Sequence, residues 1–382
     1  MDGRGQRRNS RSRIFSLPLV IAVIALMVGC NAAAKAPTAP QASTAPAPAA
    51  APGGPGAASA PPTEASAPAA PGALPSPVSI KVAYSELTAA QTPNWVAEDA
   101  GIFDKYGLDV ELLYIQSSQT VAAVLAGDVQ IALGGGAAAM SSRLGGSDMV
   151  IFMALTNYYP YELFVSNDIN SPEDLRGKTV GISRFGSSSD VSTRLALRLL
   201  GLDPEKDVTL LQTGSLAERM AAMQSGQLAA ALASPPYNTR LRRAGLRSIL
   251  DLSKTGEPAL NNVGFAEAGW LKDNDAVAQA FVNAITEAIH YAKANREYTE
   301  TVMAKYLKLD DQEAVSDSYD FYLGDNLSHL PDLSIDAGKK YLESRADKDP
   351  KAATANVADF FDTHFLERTK ASGLLERLWG PS

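Results

Sequence analysis

The chain contains 382 residues, of which 46% are hydrophobic, and this length exceeds what one domain usually occupies. Its 42 acidic residues outnumber its 34 basic residues, so it lacks the basic excess with which proteins bind nucleic-acid phosphates. Three histidines and one cysteine leave few ligands for a metal site or for thiol chemistry. The composition therefore favours a multi-lobed globular protein and argues against nucleic acid as a partner.

The N-terminal segment has the pattern of an export signal. Residues 1–13 carry five arginines, an apolar run follows over Leu17–Val28, and Gly29 and Cys30 come next. This pattern predicts a signal peptide over residues 1–29, because the apolar run is too short to span a bilayer comfortably. Residues 27–30, Met-Val-Gly-Cys, resemble the lipobox of bacterial lipoproteins, which implies a lipid anchor on Cys30. An ordinary signal peptide with an incidental cysteine is the alternative.

A low-complexity segment follows the predicted cleavage site. After Cys30, residues 30–77 are almost wholly Ala, Pro, Ser, Gly and Thr, and they show no hydrophobic period. Such a segment buries too little apolar surface to offset the entropy lost on ordering. We therefore expect a disordered, Ala/Pro-rich tether between the anchor and the folded body. Loss of residues 1–29 would shift the formal charge from −8 to −12, since they carry five arginines and one aspartate.

The folded body is predicted to begin with a strand and a helix. Ser79–Tyr84 alternates in hydrophobicity as a strand does, and Pro93 is a favourable first-turn residue for the helix that follows. Asp109–Tyr114 is predicted to be the second strand, and Met149–Leu155 a further buried strand. Strands that alternate with helices favour right-handed crossovers, so we expect an α/β fold with mostly parallel sheets.

One local pattern occurs twice in the chain. Within residues 121–140, a short helix ends at Gly127, a strand covers Val129–Leu133, and Gly134–Gly136 leads into another helix. A similar order of helix, glycine, apolar strand and small-residue loop recurs over Met220–Pro236. A loop between a strand and a helix N-terminus exposes backbone N–H groups that suit small polar ligands. The repetition predicts two lobes that offer such loops to a shared cleft.

Three blocks of sequence carry a resemblance to a known family. They are Trp95–Glu111 (WVAEDAGIFDKYGLDVE), Leu125–Ala132 (LAGDVQIA) and Asp174–Ile182 (DLRGKTVGI). In this order and spacing they resemble the solute-binding proteins of bacterial ABC importers. More narrowly, they resemble the group that handles aliphatic sulfonates, taurine, nitrate and thiamine-precursor pyrimidines. The resemblance implies a type II periplasmic-binding-protein fold, with two α/β lobes joined by two crossing strands.

The resemblance also implies a division of the body. The first lobe would comprise residues 78–163 and 265–382, and the second lobe residues 164–264. Tyr161–Ser166 and Asn262–Glu267 would be the two crossing strands. Asp275–Leu307 is then a long amphipathic helical stretch that packs on the first lobe, and Leu374–Trp379 is a terminal helix that covers it.

Four loops are expected to meet in the cleft: Ser85–Gln91, Gly134–Ala137, Ser183–Asp190 and Ala233–Tyr237. Each offers hydroxyl groups or backbone amides near a helix N-terminus, although Ser187–Asp190 also fits a helix capping box. The candidate ligand-binding residues are Ser85, Thr88, Gln91, Gly135, Gly136, Ala137, Tyr158, Arg184, Ser187, Ser188, Ser189, Ser234 and Tyr237.

The residues leave two ligand classes open. Arg184 is the single cation in these loops, while Glu86 and Asp190 oppose it, so an arginine clamp for an anion has no second base to support it. Backbone amides alone can hold an anion. The rings of Tyr158 and Tyr237 could instead stack on a planar ligand such as a pyrimidine.

Catalytic patterns are weak. The Gly134–Ala139 segment matches a dinucleotide fingerprint, but the expected acid is absent after the next strand. Gly181–Gly186 misses the spacing of a nucleophile elbow by one residue. Pyrimidine-precursor synthases share the implied fold and make an enzyme the rival class. They resemble one another in a cysteine-rich motif, whereas the mature chain has no cysteine beyond Cys30.

The predicted function is therefore a monomeric, lipid-anchored, extracytoplasmic receptor. It would capture a small polar or anionic solute such as a sulfonate, nitrate or a pyrimidine-like molecule, and deliver it to an ABC permease in the membrane. No catalytic residue, metal or cofactor is expected. A receptor that senses its ligand without transporting it is a third possibility.

Overall fold

The computed structural model describes residues 70–324 and 326–381. The predicted signal peptide, the Cys30 anchor and residues 30–69 of the predicted tether lie outside this range. Residues 70–77, which the sequence placed in the tether, lie against the folded body. The backbone N–H of Leu74 donates to the Tyr106 carbonyl at 3.0 Å, and Asn283 donates to the Pro71 carbonyl at 3.3 Å. The body therefore starts by residue 70 rather than at residue 78.

The described residues form ten strands in two sheets. The strands are β1 (Val78–Tyr84), β2 (Leu108–Tyr114), β3 (Ile131–Gly134), β4 (Met149–Tyr158), β5 (Glu162–Val165), β6 (Thr179–Ile182), β7 (Thr209–Gln212), β8 (Ala230–Ala233), β9 (Arg247–Asp251) and β10 (Pro258–Glu267). The first sheet has the order β2-β1-β3-β10-β4, and the second has the order β7-β6-β8-β5-β9.

Helices flank both sheets. They are α1 (Thr92–Asp99), α2 (Ile102–Lys105), α3 (Ser117–Leu125), α4 (Gly136–Leu144), α5 (Ser188–Leu199), α6 (Leu216–Gln224), α7 (Tyr237–Arg243), α8 (Ala268–Asp273), α9 (Asp275–Ala294), α10 (Arg296–Leu307), α11 (Gln312–Leu323), α12 (Ile335–Arg345), α13 (Pro350–Thr354), α14 (His364–Ala371) and α15 (Leu374–Trp379). None of the helices in the described ranges is both long and apolar enough to cross a membrane. The predicted α/β class is confirmed.

Each sheet mixes parallel and antiparallel pairing. In the first sheet β1 pairs in parallel with β2 and β3, and β10 runs antiparallel to both β3 and β4. In the second sheet β6 pairs in parallel with β7 and β8, and β5 runs antiparallel to β8 and β9. The sheets are thus mixed, with one reversed strand in each.

The chain passes between the sheets twice. It leaves β4 of the first sheet and enters β5 of the second through residues 159–161, and it returns between β9 and β10 through residues 252–257. The predicted crossing segment Tyr161–Ser166 largely forms β5, and Asn262–Glu267 lies within β10. The limits assigned to the two lobes remain a prediction.

A large apolar core covers one face of the first sheet. Helix α9 supplies Phe281 and Ile285, both fully buried, and the Phe281 ring stacks on Phe103 with centroids 5.7 Å apart. The sequence predicted a long helical stretch over Asp275–Leu307, and the structure divides it into two helices at Asn295. This residue leaves the helical conformation, and its side-chain amide donates to the Tyr291 carbonyl at 2.9 Å, so α9 ends there and α10 begins.

The C-terminal helix docks on this core. Leu374 of α15 is buried, and the Trp379 ring stacks on the His329 imidazole with centroids 3.7 Å apart. His290 meets the same ring edge-on at 4.7 Å. His290 and His329 therefore pack against the Trp379 ring, and the third histidine, His364, contacts the Phe365 ring with centroids 3.8 Å apart.

Polar contacts at the surface join a helix that packs on the second sheet to a helix that packs in the core of the first. Helix α7 packs on strands of the second sheet, and α11 packs in the first core. Arg243 of α7 forms ion pairs with Asp311 and Glu313 at the start of α11. Thr239 donates a hydrogen bond to Asp317 at 3.2 Å. These contacts hold α7 against α11 beside the boundary of the two sheets.

Candidate functional site

Loops at the strand ends of both sheets enclose a cavity of about 330 Å³. In a parallel arrangement the carboxyl ends of neighbouring strands meet at one edge, where the following helices also begin. The lining residues come from the loop after β1, the end of β2, the link into β5, the loop after β6, the start of α6 and the start of α7. They are Ser85, Glu86, Leu87, Thr88, Tyr114, Gln116, Tyr161, Ser183, Arg184, Ser189, Gly214, Ser215, Leu216, Ala217, Arg219 and Tyr237.

Arg219 is the buried cation of this cavity. Its side chain is 4% exposed, and one terminal nitrogen donates to the Gly214 carbonyl at 2.8 Å. Its Nε is buried and has no hydrogen-bond partner among the described residues. Burial lowers the pKa of Arg219, because the charged form loses solvation, although an arginine remains protonated. A buried guanidinium with an unused donor is ready to bind an anionic group.

The start of helix α6 holds Arg219 in place. Ser215 caps the helix by accepting from the Glu218 N–H, and the Glu218 side chain accepts from the Ser215 N–H, which completes a capping box. Arg219 follows in the first turn. The positive end of the α6 dipole faces the cavity beside the guanidinium, so both favour negative charge at the same place.

Glu86 brings the opposite charge to the cavity. It is half-buried, and its carboxylate accepts one long hydrogen bond from the Tyr161 hydroxyl at 3.4 Å. Burial raises the pKa of Glu86, while the Arg219 charge and the Tyr161 bond lower it. Within the described residues no ion pair joins Glu86 to Arg219. The cavity therefore contains a carboxylate and a guanidinium that do not neutralise each other by direct contact.

Three tyrosines contribute rings to the cavity wall. Tyr161 is buried, Tyr237 is half-buried, and Tyr114 is 41% exposed at the mouth. Burial raises the pKa of all three phenols, so they are neutral hydrogen-bonding groups at physiological pH. The wall can thus contact both the polar and the apolar parts of a small molecule.

The structure brings five predicted site residues to this cavity: Ser85, Thr88, Arg184, Ser189 and Tyr237. Ser85 is buried, and its hydroxyl has no partner among the described residues. Arg184 is exposed at the rim.

The predicted serine run serves partly as internal structure. The hydroxyls of Ser187 and Ser189 each lie 2.8 Å from that of Ser183, and Ser187 also accepts from the Asp190 N–H as the N-cap of α5. Ser187 therefore caps α5, but the predicted capping box is only half formed, because the Asp190 carboxylate accepts from the Gly186 N–H instead of the Ser187 N–H. Ser188 differs, because its buried hydroxyl has no partner among the described residues.

Gly135 and Ser188 lie close together where loops of the two sheets meet. Gly135 follows β3 of the first sheet, and a Cβ placed on it would lie 2.3 Å from the Ser188 Oγ. The next glycine, Gly136, packs in the same manner against Leu260. Ala137 lies on a second cavity of about 640 Å³, which Ser188 also lines. These predicted residues therefore lie where α4 meets α5, outside the lining of the first cavity.

Three further predicted residues lie away from the cavity lining. The buried Gln91 side chain bonds to Asn94 at 2.7 Å and to Asn262 at 3.3 Å. Tyr158 packs beside Phe321 with ring centroids 6.1 Å apart. Ser234 is buried, and its hydroxyl lies near that of Tyr322. A ligand role for these three remains a prediction.

Sequence reasoning missed the loop before α6. Gly214–Ala217 and Arg219 line the cavity, yet none of them belongs to the four predicted loops. A signal was present, since Ser215 and Glu218 form an S-x-x-E capping box directly after a β-strand. That pattern predicts a helix N-terminus at the edge of the sheet where ligands bind.

Within the described residues, no three His, Cys, Asp or Glu side chains lie close enough together to hold a metal ion. The polar groups of the cavity are instead hydroxyls, backbone groups, the Gln116 side-chain amide, one carboxylate and two guanidinium groups. Such a set binds a small charged or polar molecule by hydrogen bonds and ion pairing.

Two sequence comparisons match this chain to known proteins. A family model described as NMT1-like matches residues 73–308. YtlA of Bacillus subtilis (strain 168), which is described as a binding protein, is 27% identical over 248 residues, covering 63% of this chain and 71% of YtlA.

Solved structures show the same fold. A protein of Bordetella bronchiseptica RB50 superposes with a TM-score of 0.68 and 22% identity, covering 77% of this chain and 97% of that one. The alkanesulfonate-binding protein SsuA of Xanthomonas axonopodis pv. citri, bound to MOPS, gives a TM-score of 0.63 and 16% identity, covering 76% of this chain and all of SsuA.

Proposed function

The chain belongs to the NMT1-like family and has a periplasmic binding protein fold, and from this premise we propose that it is the solute-binding component of a bacterial ABC importer. The solute would enter between the two sheets, contact both, and pass to a membrane permease. The described cavity supports this function because its walls come from elements of both sheets.

The observation that carries the proposal is the unpartnered Nε of buried Arg219 beside the N-terminus of α6. Both groups favour an anion, and a sulfonate, carboxylate or nitrate would satisfy the donor. Ser85 and Thr88 add hydroxyls from the first sheet. A solute that contacts both sheets only when they are close together stabilises that arrangement by its differential affinity.

The melting temperature of the purified chain tests this function. At a concentration one hundred times its dissociation constant, a true ligand stabilises the fold by about 2.7 kcal/mol. We would screen sulfonates, nitrate, pyrimidines and amino acids, with urea as a solute that should not shift the transition upward. If none of the screened solutes raises the melting temperature, the proposal is contradicted. If mass spectrometry shows that the protein converts a screened solute chemically, the alternative is favoured, namely an enzyme of the same fold.

We further propose that the protein acts outside the cytoplasm as a lipid-anchored monomer. The proposal rests on the Met-Val-Gly-Cys sequence that ends at Cys30. Replacing Cys30 by Ala is expected to release the protein from the membrane fraction, because the acyl chains could no longer be attached. Immunoblots of membrane and soluble fractions measure this, and unchanged membrane retention of Cys30→Ala would disprove the anchor. Val28→Leu, which keeps the cysteine, is the control.

A further inference from the structure

Two opposite charges face the cavity from different elements. Glu86 lies in the loop after β1 of the first sheet, and Arg219 lies in the first turn of α6 beside the second sheet. The Glu86 carboxylate accepts only the long bond from Tyr161 among the described residues, and the Arg219 Nε has no partner there. Removing two charges from water without direct pairing is costly. A ligand that neutralises both the Glu86 and the Arg219 charge would recover this free energy.

We propose that the solute is a zwitterion whose anionic group binds Arg219 and whose positively charged nitrogen binds Glu86. This inference rests on the proposed function, because it names the class of solute that the same cavity takes. Glu86 is then the residue that determines specificity, since it separates amine-bearing anions from simple anions.

The chemistry of the two ends fits the groups present. An ammonium group offers three donors, and Glu86 has accepting capacity that the single 3.4 Å bond from Tyr161 leaves unused. Tyr114 lines the same cavity, and its ring quadrupole attracts a cation. The Tyr237 ring also lines it, but the Arg240 guanidinium already lies over that ring, 5.8 Å from its centroid. At the other end, the guanidinium and the start of α6 receive the anion.

The rival explanation is that Glu86 serves only to balance the charge of Arg219. In that case a bound anion would compete with Glu86 for Arg219, and a positive group on the solute would bring no gain. The two explanations predict opposite effects of pH on affinity.

The pH dependence follows from the Glu86 carboxyl. Burial raises the pKa of Glu86 in the free protein, and a nearby ammonium would lower it again. Zwitterion affinity is therefore full above the raised pKa and falls as pH drops through it. A simple anion would raise the pKa of Glu86 further. The affinity for a simple anion therefore rises as the pH drops through the same interval. Sulfonate and alkylammonium groups keep their charges throughout.

Other groups near Glu86 do not titrate in this interval. Those that face it are the guanidinium of Arg219 and the phenols of Tyr114, Tyr161 and Tyr322. Arginine stays protonated, and burial raises the pKa of all three phenols. A change in affinity at a pH above the ordinary pKa of a glutamate carboxyl that disappears in Glu86→Gln therefore reports on Glu86.

Isothermal titration calorimetry on the full chain tests the proposal with two matched pairs. The pairs are 2-aminoethanesulfonate with propane-1-sulfonate, and 3-aminopropanoate with butanoate, in which a methyl group replaces the ammonium. We expect the amine-bearing member of at least one pair to bind at least about tenfold more tightly. Glu86→Gln should remove that preference and retain binding of the amine-free member. Glu297→Gln, the same change at an exposed position, should leave the preference intact.

Three results would overturn the proposal. Equal or tighter binding of the amine-free members to the unmodified protein would refute the zwitterion and leave the solute-binding function standing. A preference that survives in Glu86→Gln would remove Glu86 as its cause. Failure of all four compounds to bind would also reject the proposal, whereas the solute-binding function is judged separately by the melting screen. Melting temperatures of both variants show whether the fold is retained.

Discussion

Replacing Arg219 by Met is expected to weaken solute binding by at least about 30-fold. The variant loses one member of the buried charge pair that Arg219 would form with the bound anion, and such a loss typically costs about 2–5 kcal/mol. Met preserves much of the side-chain volume, but it offers no donor where the guanidinium now has a free Nε. The fold should survive, because Arg219 is itself a buried charge whose desolvation opposes folding. Calorimetry with the tightest ligand from the melting screen measures the change.

The control for this prediction is Arg176→Met. Arg176 is about half exposed, pairs with Asp207 at the surface and does not line the cavity. Its loss removes the same formal charge from the chain, so a general electrostatic effect on an anion would appear equally in both variants. Comparable binding losses in the two variants, or unchanged binding in Arg219→Met, would show that Arg219 does not contact the solute.

Replacing Gly135 by Val is expected to weaken binding by about 5- to 150-fold, because overpacking a close contact costs about 1–3 kcal/mol. Gly135 has φ −67° and ψ 115°, an extended conformation that valine adopts readily, so the backbone is not strained. The added carbon would instead meet the Ser188 Oγ at 2.3 Å, where the loops of the two sheets approach. The variant should hold these loops apart and oppose closure on the solute.

A second substitution tests whether this contact is responsible. Gly135→Ala adds only the Cβ, and combining it with Ser188→Gly removes both atoms that the Cβ would crowd. We expect Gly135→Ala to bind more weakly than the parent and the double variant to recover part of the loss. Equal affinity of Gly135→Val and the parent protein, with the fold intact, would mean that closure does not depend on this approach.

The α/β architecture was predictable because hydrophobic period and helix signals agreed along much of the body. β1, β2 and α1 lie within one or two residues of their predicted positions, since each has a clear alternation or a Pro-led first turn. The break at Asn295 was missed, because the apolar positions on both sides continue one helical pattern. A side-chain bond at a single residue ends the helix there, and hydrophobic period does not report it.

The cavity was only partly predictable. Ser85 lies in the loop after one predicted strand and Ser189 in the first turn of the helix after another, at the sheet edge where parallel sheets bind ligands. Arg219 was overlooked because it lies within a helix whose Met220 and Met223 indicate core packing. Which face of that helix meets the cleft depends on how α6 packs on the second sheet. That information comes from contacts distant in sequence, which local patterns do not contain.

The surface contact between α7 and α11 makes the proposed closure of the two sheets sensitive to salt. Arg243 and its partners Asp311 and Glu313 lie outside the cavity; the Arg243 side chain is nearly half exposed, and that of Glu313 is mostly exposed. Dissolved ions weaken surface attractions of this kind, with a screening length of about 10 Å at 0.1 M ionic strength. Under the proposed function, rising salinity should therefore shift the balance from the closed toward the open arrangement even without a bound solute, and dilute buffers should overstate the solute affinity at natural salinity.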